Sequence, residues 1–318
     1  MKILIYGAGA LGSAIGGLLH QAGHEVGLLG RAAHLEAIRA NGLRLTGLWG
    51  AHHIHGCGRL FTSVDDVPAG EWELILLTVK TYDTAAAIAG CRKLVGPRTK
   101  LVSIQNGHGN VEQLREAFGV ERVFGARVIT GAELEPGQVK ITVHADHLRL
   151  GPHRGEAELM PEAERIARVL NESGVPAAAT DRFLSYLWSK LLFNCALNAM
   201  GALLRKTYGE LWDHPPSRRA MSDIFREAFA VCHAHKIPLF WERPEDYEVV
   251  FDNELVPATR NHYPSMLRDL EQRGRTEIDS MNGAVVRLGE EHGLPTPANR
   301  ILTAMIERMS RDPAHPRG

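Results

Sequence analysis

Short apolar runs and stretches of helical spacing alternate through the first third of the chain. Residues 2–6, KILIY, end at Gly7; ALGSAIGGLLHQAG then repeats its apolar positions at helical intervals and stops at Gly23. HEVGLLGR, ELILLTVK at 73–80 and KLVSIQNG at 100–107 read as further strands, with helical TAAAIAGCRKL between the last two. This order predicts a parallel sheet joined by right-handed crossovers. Residues 43–61 read as short strands and turns, and alternation sets His53 and His55 on one face with His52 on the other.

Beyond Gly119 the period changes. RVFGARVIT, GAELEPGQVKITVH and HLRLGP read as strands, paired antiparallel about the turn Glu135-Pro136-Gly137-Gln138. Residues 156–173 have helical spacing, 174–180 fit a last short strand, and the remainder reads as helices. The expected architecture is α/β: a Rossmann-type parallel-sheet domain over 1–177, then an all-helical domain over 178–318. Pro264 and Pro297 suit first helical turns and Thr296 suits a cap. Thr276 with Asp279 suits a capping box opening one helix over EIDSMNGAVVRLGEEHG, and the tail SRDPAHPRG is expected to fray.

One helical stretch breaks its own pattern. LWSKLLFNCALNAM, residues 187–200, is apolar apart from Ser189 and from Lys190, Asn194 and Asn198, which share an arc of about 80° at about 100° of rotation per residue. Either the lysine snorkels and the asparagines meet solvent, or the stripe lines a cleft; little else in the stretch is polar enough to make a solvated face. Cys195 is turned about 100° from Asn194 and reads as a packing residue.

Composition narrows the classes. The 318 residues are 44% hydrophobic and 23% charged, which suits two soluble globular domains. Lys plus Arg total 36 against 37 for Asp plus Glu, so no basic excess exists to hold a nucleic-acid backbone. The amino terminus enters a glycine turn directly and no uninterrupted apolar run of about 18 residues follows, so the expected location is the cytoplasm, with no membrane partner. Cys57, Cys91, Cys195 and Cys232 are dispersed, as reduced thiols are. His52, His53 and His55 have no Cys or carboxylate in their immediate stretch, and no metal is expected. A homodimer is the base-rate assembly.

Gly7, Gly9 and Gly12 form Gly-x-Gly-x-x-Gly between a predicted strand and a predicted helix. The first glycine permits the turn, the second lets backbone approach a pyrophosphate, and the third lets the helix pack on the sheet. With Ala8, Ala10 and Leu11 they make a candidate dinucleotide site facing a helix amino terminus. Gly30-Arg31 stands where an NAD enzyme would place an acid, so either Arg31 receives the 2′-phosphate of NADP(H) or it is a solvated loop residue; the expectation is NADP(H). Lys80 and Asn106 end strands, where ligands of open sheets bind, although Asn-Gly is also an ordinary turn signal. Ser265 lies near one helix start, a receptor for a carboxylate, and Glu277 near another, where it is either functional or a first-turn acid.

Together GAGALG, LTVK, IQNGHG, LWSKLLFNCALN and SMLRDLEQRGRTEIDSMNG, in this order, resemble the ketopantoate reductase family over essentially the whole chain. The resemblance implies a Rossmann-type domain, a helical domain, and NADPH-dependent reduction of a 2-oxo acid in pantothenate synthesis. It implies that Lys190 is the catalytic lysine and Glu277 a substrate-binding residue linked with catalysis. It further implies that Asn194, Asn198, Asn106, Lys80 and Ser265 shape the substrate site, and that the glycine turn, Arg31, Lys80 and Asn106 meet the cofactor. The chain departs from the family pattern at His262, where asparagine is expected, and at Tyr263-Pro264, which replace smaller polar residues. Another branched 2-oxo acid, and a regulator that binds NADP(H) without catalysis, are the rival expectations.

Overall fold

The structure, a computed structural model, describes residues 1–311; the expected fraying of the tail beyond Arg311 lies outside them. The chain divides into two compact units, one of Met1–Asn106 with Asn110–Phe183, the other of the residues from Leu184 onward with Gly107–Gly109.

The first unit is built on one sheet of β1 (Lys2–Tyr6), β2 (Glu25–Leu29), β3 (Leu43–Gly47), β4 (His52–Ile54), β5 (Arg59–Phe61), β6 (Leu74–Leu77), β7 (Lys100–Ser103), β8 (Val123–Glu135), β9 (Gln138–Pro152) and β10 (Ala177–Ala179). Their order is β4-β3-β9-β8-β7-β6-β1-β2-β5, with β10 beside β9. The run from β5 to β8 is parallel. Its central strand β6 is buried at every position, which is why LILL lacks polar alternation. Helices α1 (Ala10–Gln21), α2 (Ala32–Asn41), α3 (Thr84–Leu94), α4 (Asn110–Phe118) and α5 (Met160–Glu172) complete the unit.

One strand expectation changes. The three strand segments after Gly119 are two long strands, β8 and β9, whose antiparallel register slips near Arg127, Ile129 and Gly131. Bulges absorb the breaks in alternation that made the segments look separate. The expected antiparallel pair also joins the parallel strands in one mixed sheet, in which β3 pairs antiparallel with β4 and parallel with β9.

The second unit carries α6 (Phe183–Leu204, joined at Phe183 to the first), α7 (Tyr208–Asp213), α8 (Pro215–Ala234), α9 (Pro244–Val250), α10 (Val256–Thr259), α11 (Ser265–Arg273), α12 (Asn282–Glu291) and α13 (Pro297–Ser310). It has no strand among the described residues. Among them α6 alone is long and apolar enough by composition to cross a membrane, but 72% of that stretch is buried, as in a core helix.

The helix starts differ from expectation. A 3-10 turn, Ile278–Ser280, precedes α12, and Thr276 accepts from the Ile278 N–H rather than closing a box with Asp279. Pro297 does open α13 with Thr296 at the N-cap, but the Thr296 hydroxyl makes no capping bond; Glu227 of α8 accepts from the Ala298 and Asn299 N–H groups at 2.8 and 3.0 Å. A carboxylate satisfies those orphan donors better than a hydroxyl, because the helix dipole adds to the hydrogen bonds. Pro264 is the N-cap of α11 rather than a residue of its first turn.

Candidate functional site

In the first unit the glycine turn leaves the end of β1. Gly7 has φ +113°, and a Cβ there would lie 2.7 Å from both the backbone nitrogen and a side-chain carbon of Val79. A Cβ on Gly12 would lie 2.5 Å from the Gly7 carbonyl oxygen and from Thr78 Oγ1. Thr78 donates to that carbonyl at 2.7 Å and fixes the turn, a role that sequence reasoning missed. A threonine closing an otherwise apolar strand was the available signal. Gly9 is different: a Cβ would meet only the Gly7 carbonyl, at 3.9 Å. Its surface is bare backbone, and the N-terminus of α1 above it has neither a side-chain cap nor an acid in its first turn. These are the conditions a pyrophosphate needs, and Gly7 to Gly12, with Ala8, Ala10 and Leu11 between them, fit it.

Arg31 lies beside this turn. Gly7 and Ala8 N–H groups donate to the Leu29 carbonyl at 3.0 and 2.7 Å, and a Cβ on Gly30 would come within 2.9 Å of Ala8 Cβ. Arg31 is the exposed N-cap residue of α2. Buried His34 in the first turn of that helix accepts from Gly137 N–H at its Nδ1 (3.1 Å), which leaves the proton on Nε2 to be donated to Ser13 Oγ (2.9 Å). Burial lowers its pKa below the ordinary imidazole value, against the opposing pull of the Glu135 carbonyl.

Lys80 and Asn106 follow β6 and β7, of which β6 pairs with β1 and β7 with β6, so the turn and both residues are strung along the carboxyl ends of three adjacent strands. Both are half-buried. Asn106 is braced by a buried chain: its carbonyl accepts from Asn110 Nδ2 (2.8 Å), Asn110 Oδ1 accepts from Thr84 Oγ1 (2.9 Å), and Thr84 Oγ1 accepts from Gln105 Nε2 (2.8 Å). None of these supporting residues was singled out from sequence, since each is an ordinary polar residue until its partner is known.

In the second unit the polar stripe of α6 is buried rather than solvated. Lys190 is half-buried, Asn194 is 8% exposed and Asn198 2%. The two asparagines differ in what they touch. Asn198 Oδ1 accepts from the Met266 N–H (3.1 Å) and its Nδ2 donates to Ser265 Oγ (3.2 Å), so it ties down the start of α11, where Ser265 itself is exposed. Among the described residues the Asn194 side chain has no hydrogen-bond partner. Glu277, 4% exposed, precedes the 3-10 turn, where its carbonyl accepts from the Ser280 N–H and Oγ. It is therefore not the first-turn acid of a long helix.

Rotation of α6 is fixed from behind. Asn282 Nδ2 donates to the Cys195 carbonyl (3.0 Å) and to Asn299 Oδ1 (2.9 Å), and Asn299 Nδ2 donates to Glu227 (2.8 Å). Both asparagines are fully buried, and the Cys195 thiol, itself buried, has its pKa raised by burial alone. His262 packs its ring 5.1 Å from that of Tyr208, while Tyr263 is 58% exposed. Burial first, and Arg268 second, lower the His262 pKa.

Two family models match the chain: ketopantoate reductase PanE/ApbA over residues 3–155, and ketopantoate reductase PanE/ApbA C terminal over residues 182–310. The chain is similar to the 2-dehydropantoate 2-reductase of Aquifex aeolicus, 37% identical over 308 residues and 96% of each chain. It is 32% identical over 309 residues to that of Archaeoglobus fulgidus, again 96% of each. Among solved structures, a PanE/ApbA family ketopantoate reductase from Ralstonia eutropha has TM-score 0.85 at 32% identity, covering 98% of both chains. A ternary structure of D-mandelate dehydrogenase with NADH and anilino(oxo)acetate has TM-score 0.85 at 27% identity, also covering 98% of both.

Proposed function

Because the chain belongs to the ketopantoate reductase family, we propose that it reduces 2-dehydropantoate to pantoate with NADPH, in pantothenate biosynthesis. The observation that carries this reading is whole-length similarity to 2-dehydropantoate 2-reductases, combined with a glycine turn whose middle glycine is bare.

NADPH held at the glycine turn would supply the hydride that reduces the carbonyl carbon of the acid, itself becoming NADP⁺. The bare backbone at Gly9 and the uncapped N-terminus of α1 would hold its pyrophosphate, and Arg31 would hold the 2′-phosphate through charge-assisted bonds worth about 1.5–3 kcal/mol. Lys80 and Asn106 present polar groups at the strand ends toward cofactor and substrate. Lys190 stabilises the negative charge growing on the carbonyl oxygen and delivers the proton that makes it a hydroxyl. Glu277 assists catalysis from its buried position, and Ser265 at the start of α11 receives the substrate carboxylate. Asn194 offers an uncommitted amide to the substrate; Asn198 acts by holding Ser265 in place.

We place the enzyme in the cytoplasm as a soluble homodimer with a small-molecule substrate and neither nucleic-acid nor membrane partners; gel filtration with light scattering checks the assembly. A second reading, a bulkier 2-oxo acid, is favoured by the exposed ring of Tyr263 two residues before Ser265. Mixing the protein with NADPH or NADH and a panel of 2-oxo acids, and following loss of reduced-cofactor absorbance, decides. The expected result is fastest turnover of 2-dehydropantoate with NADPH. Faster turnover of an aryl 2-oxo acid would select the second reading, and cofactor binding without oxidation would leave a regulator.

A further inference from the structure

We infer that His34 is a positioning residue for cofactor choice, locking the first turn of α2, and with it Arg31, onto the helix that begins at the phosphate-binding turn. This rests on the reading of Arg31 as the receptor of the 2′-phosphate. Arg31 is exposed at the N-cap of α2, and its carbonyl accepts the first helical bond from Leu35 N–H at 3.1 Å. Before it, the backbone is seated by the bonds from Gly7 and Ala8 to Leu29 and by the close approach of Gly30 to Ala8.

After it, the segment is held by His34. The imidazole reaches Ser13 Oγ on α1 at 2.9 Å and receives the Gly137 N–H from the β8–β9 turn at 3.1 Å. One side chain thereby joins three elements far apart in sequence. Gly137 makes the approach feasible: its φ is +75°, and a Cβ there would stand only 3.2 Å from Ala37 Cβ, one turn further along α2. An apolar residue at position 34 would leave the Gly137 N–H facing a group that cannot accept. Arg31 has a long side chain, so every freedom left in its backbone adds to the entropy lost when it grips a phosphate; fixing that backbone in advance reduces the loss. Binding that does not involve the 2′-phosphate gains nothing from it.

The test is cofactor discrimination in three backgrounds. His34→Phe keeps the bulk and removes both bonds, whereas His34→Gln keeps one acceptor and one donor. His34→Phe should raise the KM for NADPH by about tenfold, equivalent to about 1.4 kcal/mol. Its KM for NADH and its kcat at saturation should stay within about twofold, since no group that meets the acid is changed. His34→Gln should restore most of the NADPH preference. Combined with Arg31→Ala, His34→Phe should shift the NADPH-to-NADH ratio no further.

Equal loss for both cofactors, an unchanged ratio in folded His34→Phe, or a persistent effect in the Arg31→Ala background would each overturn the inference. Should His34→Phe fail to fold by circular dichroism, Ser13→Ala removes one of the two bonds and must shift the ratio in the same direction. If Arg31→Ala itself leaves the ratio unmoved, the reading of Arg31 falls; if it collapses the ratio while His34→Phe does not, only the role of His34 falls.

Discussion

The glycine turn of the first unit and the polar stripe of α6 in the second both present polar groups from elements otherwise buried in apolar surroundings, but they do so by opposite means. The turn uses backbone. Its backbone lies bare because Gly7 adopts φ +113° and Gly9 carries no side chain; the residue types that allow this stand within six positions, while the Leu29 carbonyl and Thr78 hold the turn in place. The stripe uses side chains on a regular helix, and which of them is available is set by distant partners. Asn198 is committed to α11, 68 residues on, while Asn194, one turn earlier, has no partner among the described residues. The residue types of a backbone site can thus be read locally even though Thr78 and Leu29 hold it, whereas the availability of each side chain in the stripe is set by the unit around it.

Substitutions can break this contrast. The largest effect expected is from Lys190→Ala, which removes the proton donor: kcat should fall about 10²- to 10⁴-fold while NADPH binding, followed by fluorescence titration, stays intact. Near-normal turnover would remove Lys190 from the mechanism and leave the stripe without a chemical role. Next comes Gly12→Val. Its Cβ would sit 2.5 Å from the Gly7 carbonyl oxygen, a backbone atom that cannot step aside. NADPH affinity should drop by more than about tenfold, with overpacking costing about 1–3 kcal/mol of stability. Unchanged affinity would mean that the turn is not the pyrophosphate site.

The asparagines sharpen the comparison within α6. Asn194→Ala should raise the KM for the 2-oxo acid about two- to tenfold, the worth of one hydrogen bond, and leave the melting temperature alone because no intramolecular bond is lost. Asn198→Ala removes a cap worth about 1 kcal/mol and should lower the melting temperature by about 2–4 °C. If both variants changed only KM, the division of labour drawn from their contacts would be wrong.

The smallest effect concerns acid. The His34 pKa is lowered from the ordinary 6.5 by burial, so as pH falls the unfolded chain takes up this proton first. The contribution is present above the unfolded value and is lost as pH falls from there through the folded one. A modest loss of stability below about pH 6.5 should appear in wild type and be reduced in His34→Gln, read from urea midpoints at stepped pH. Equal losses in the two proteins would assign the acid sensitivity elsewhere.

Much of this contrast reappears in how far the amino-acid order could be read. Strand-turn-helix alternation, the turn at Glu135–Gln138 and the helical second half follow from short-range periodicity and from residues with restricted or permissive backbones. The bulged hairpin β8–β9 looked like three strands because an inserted residue interrupts alternation whether or not the strand continues. The break at Ile278–Ser280 and the substitution of Glu227 for the Thr296 hydroxyl as capping acceptor were hidden for a different reason. Capping signals are judged within one turn, whereas Glu227 reaches α13 from 71 residues away.

By itself the sequence determined the phosphate-binding turn, the sheet-then-helices plan, and the position of a polar stripe on an apolar helix, because each depends on angles and spacings among near neighbours. Only the tertiary structure decided which asparagine is committed, that Asn282 and Asn299 fix α6 through the Cys195 carbonyl, and that His34 links α1, α2 and a hairpin turn. A hydrogen bond requires its donor and acceptor within about 3 Å. For groups separated by tens of residues along the chain, that proximity is created by the packing of the fold.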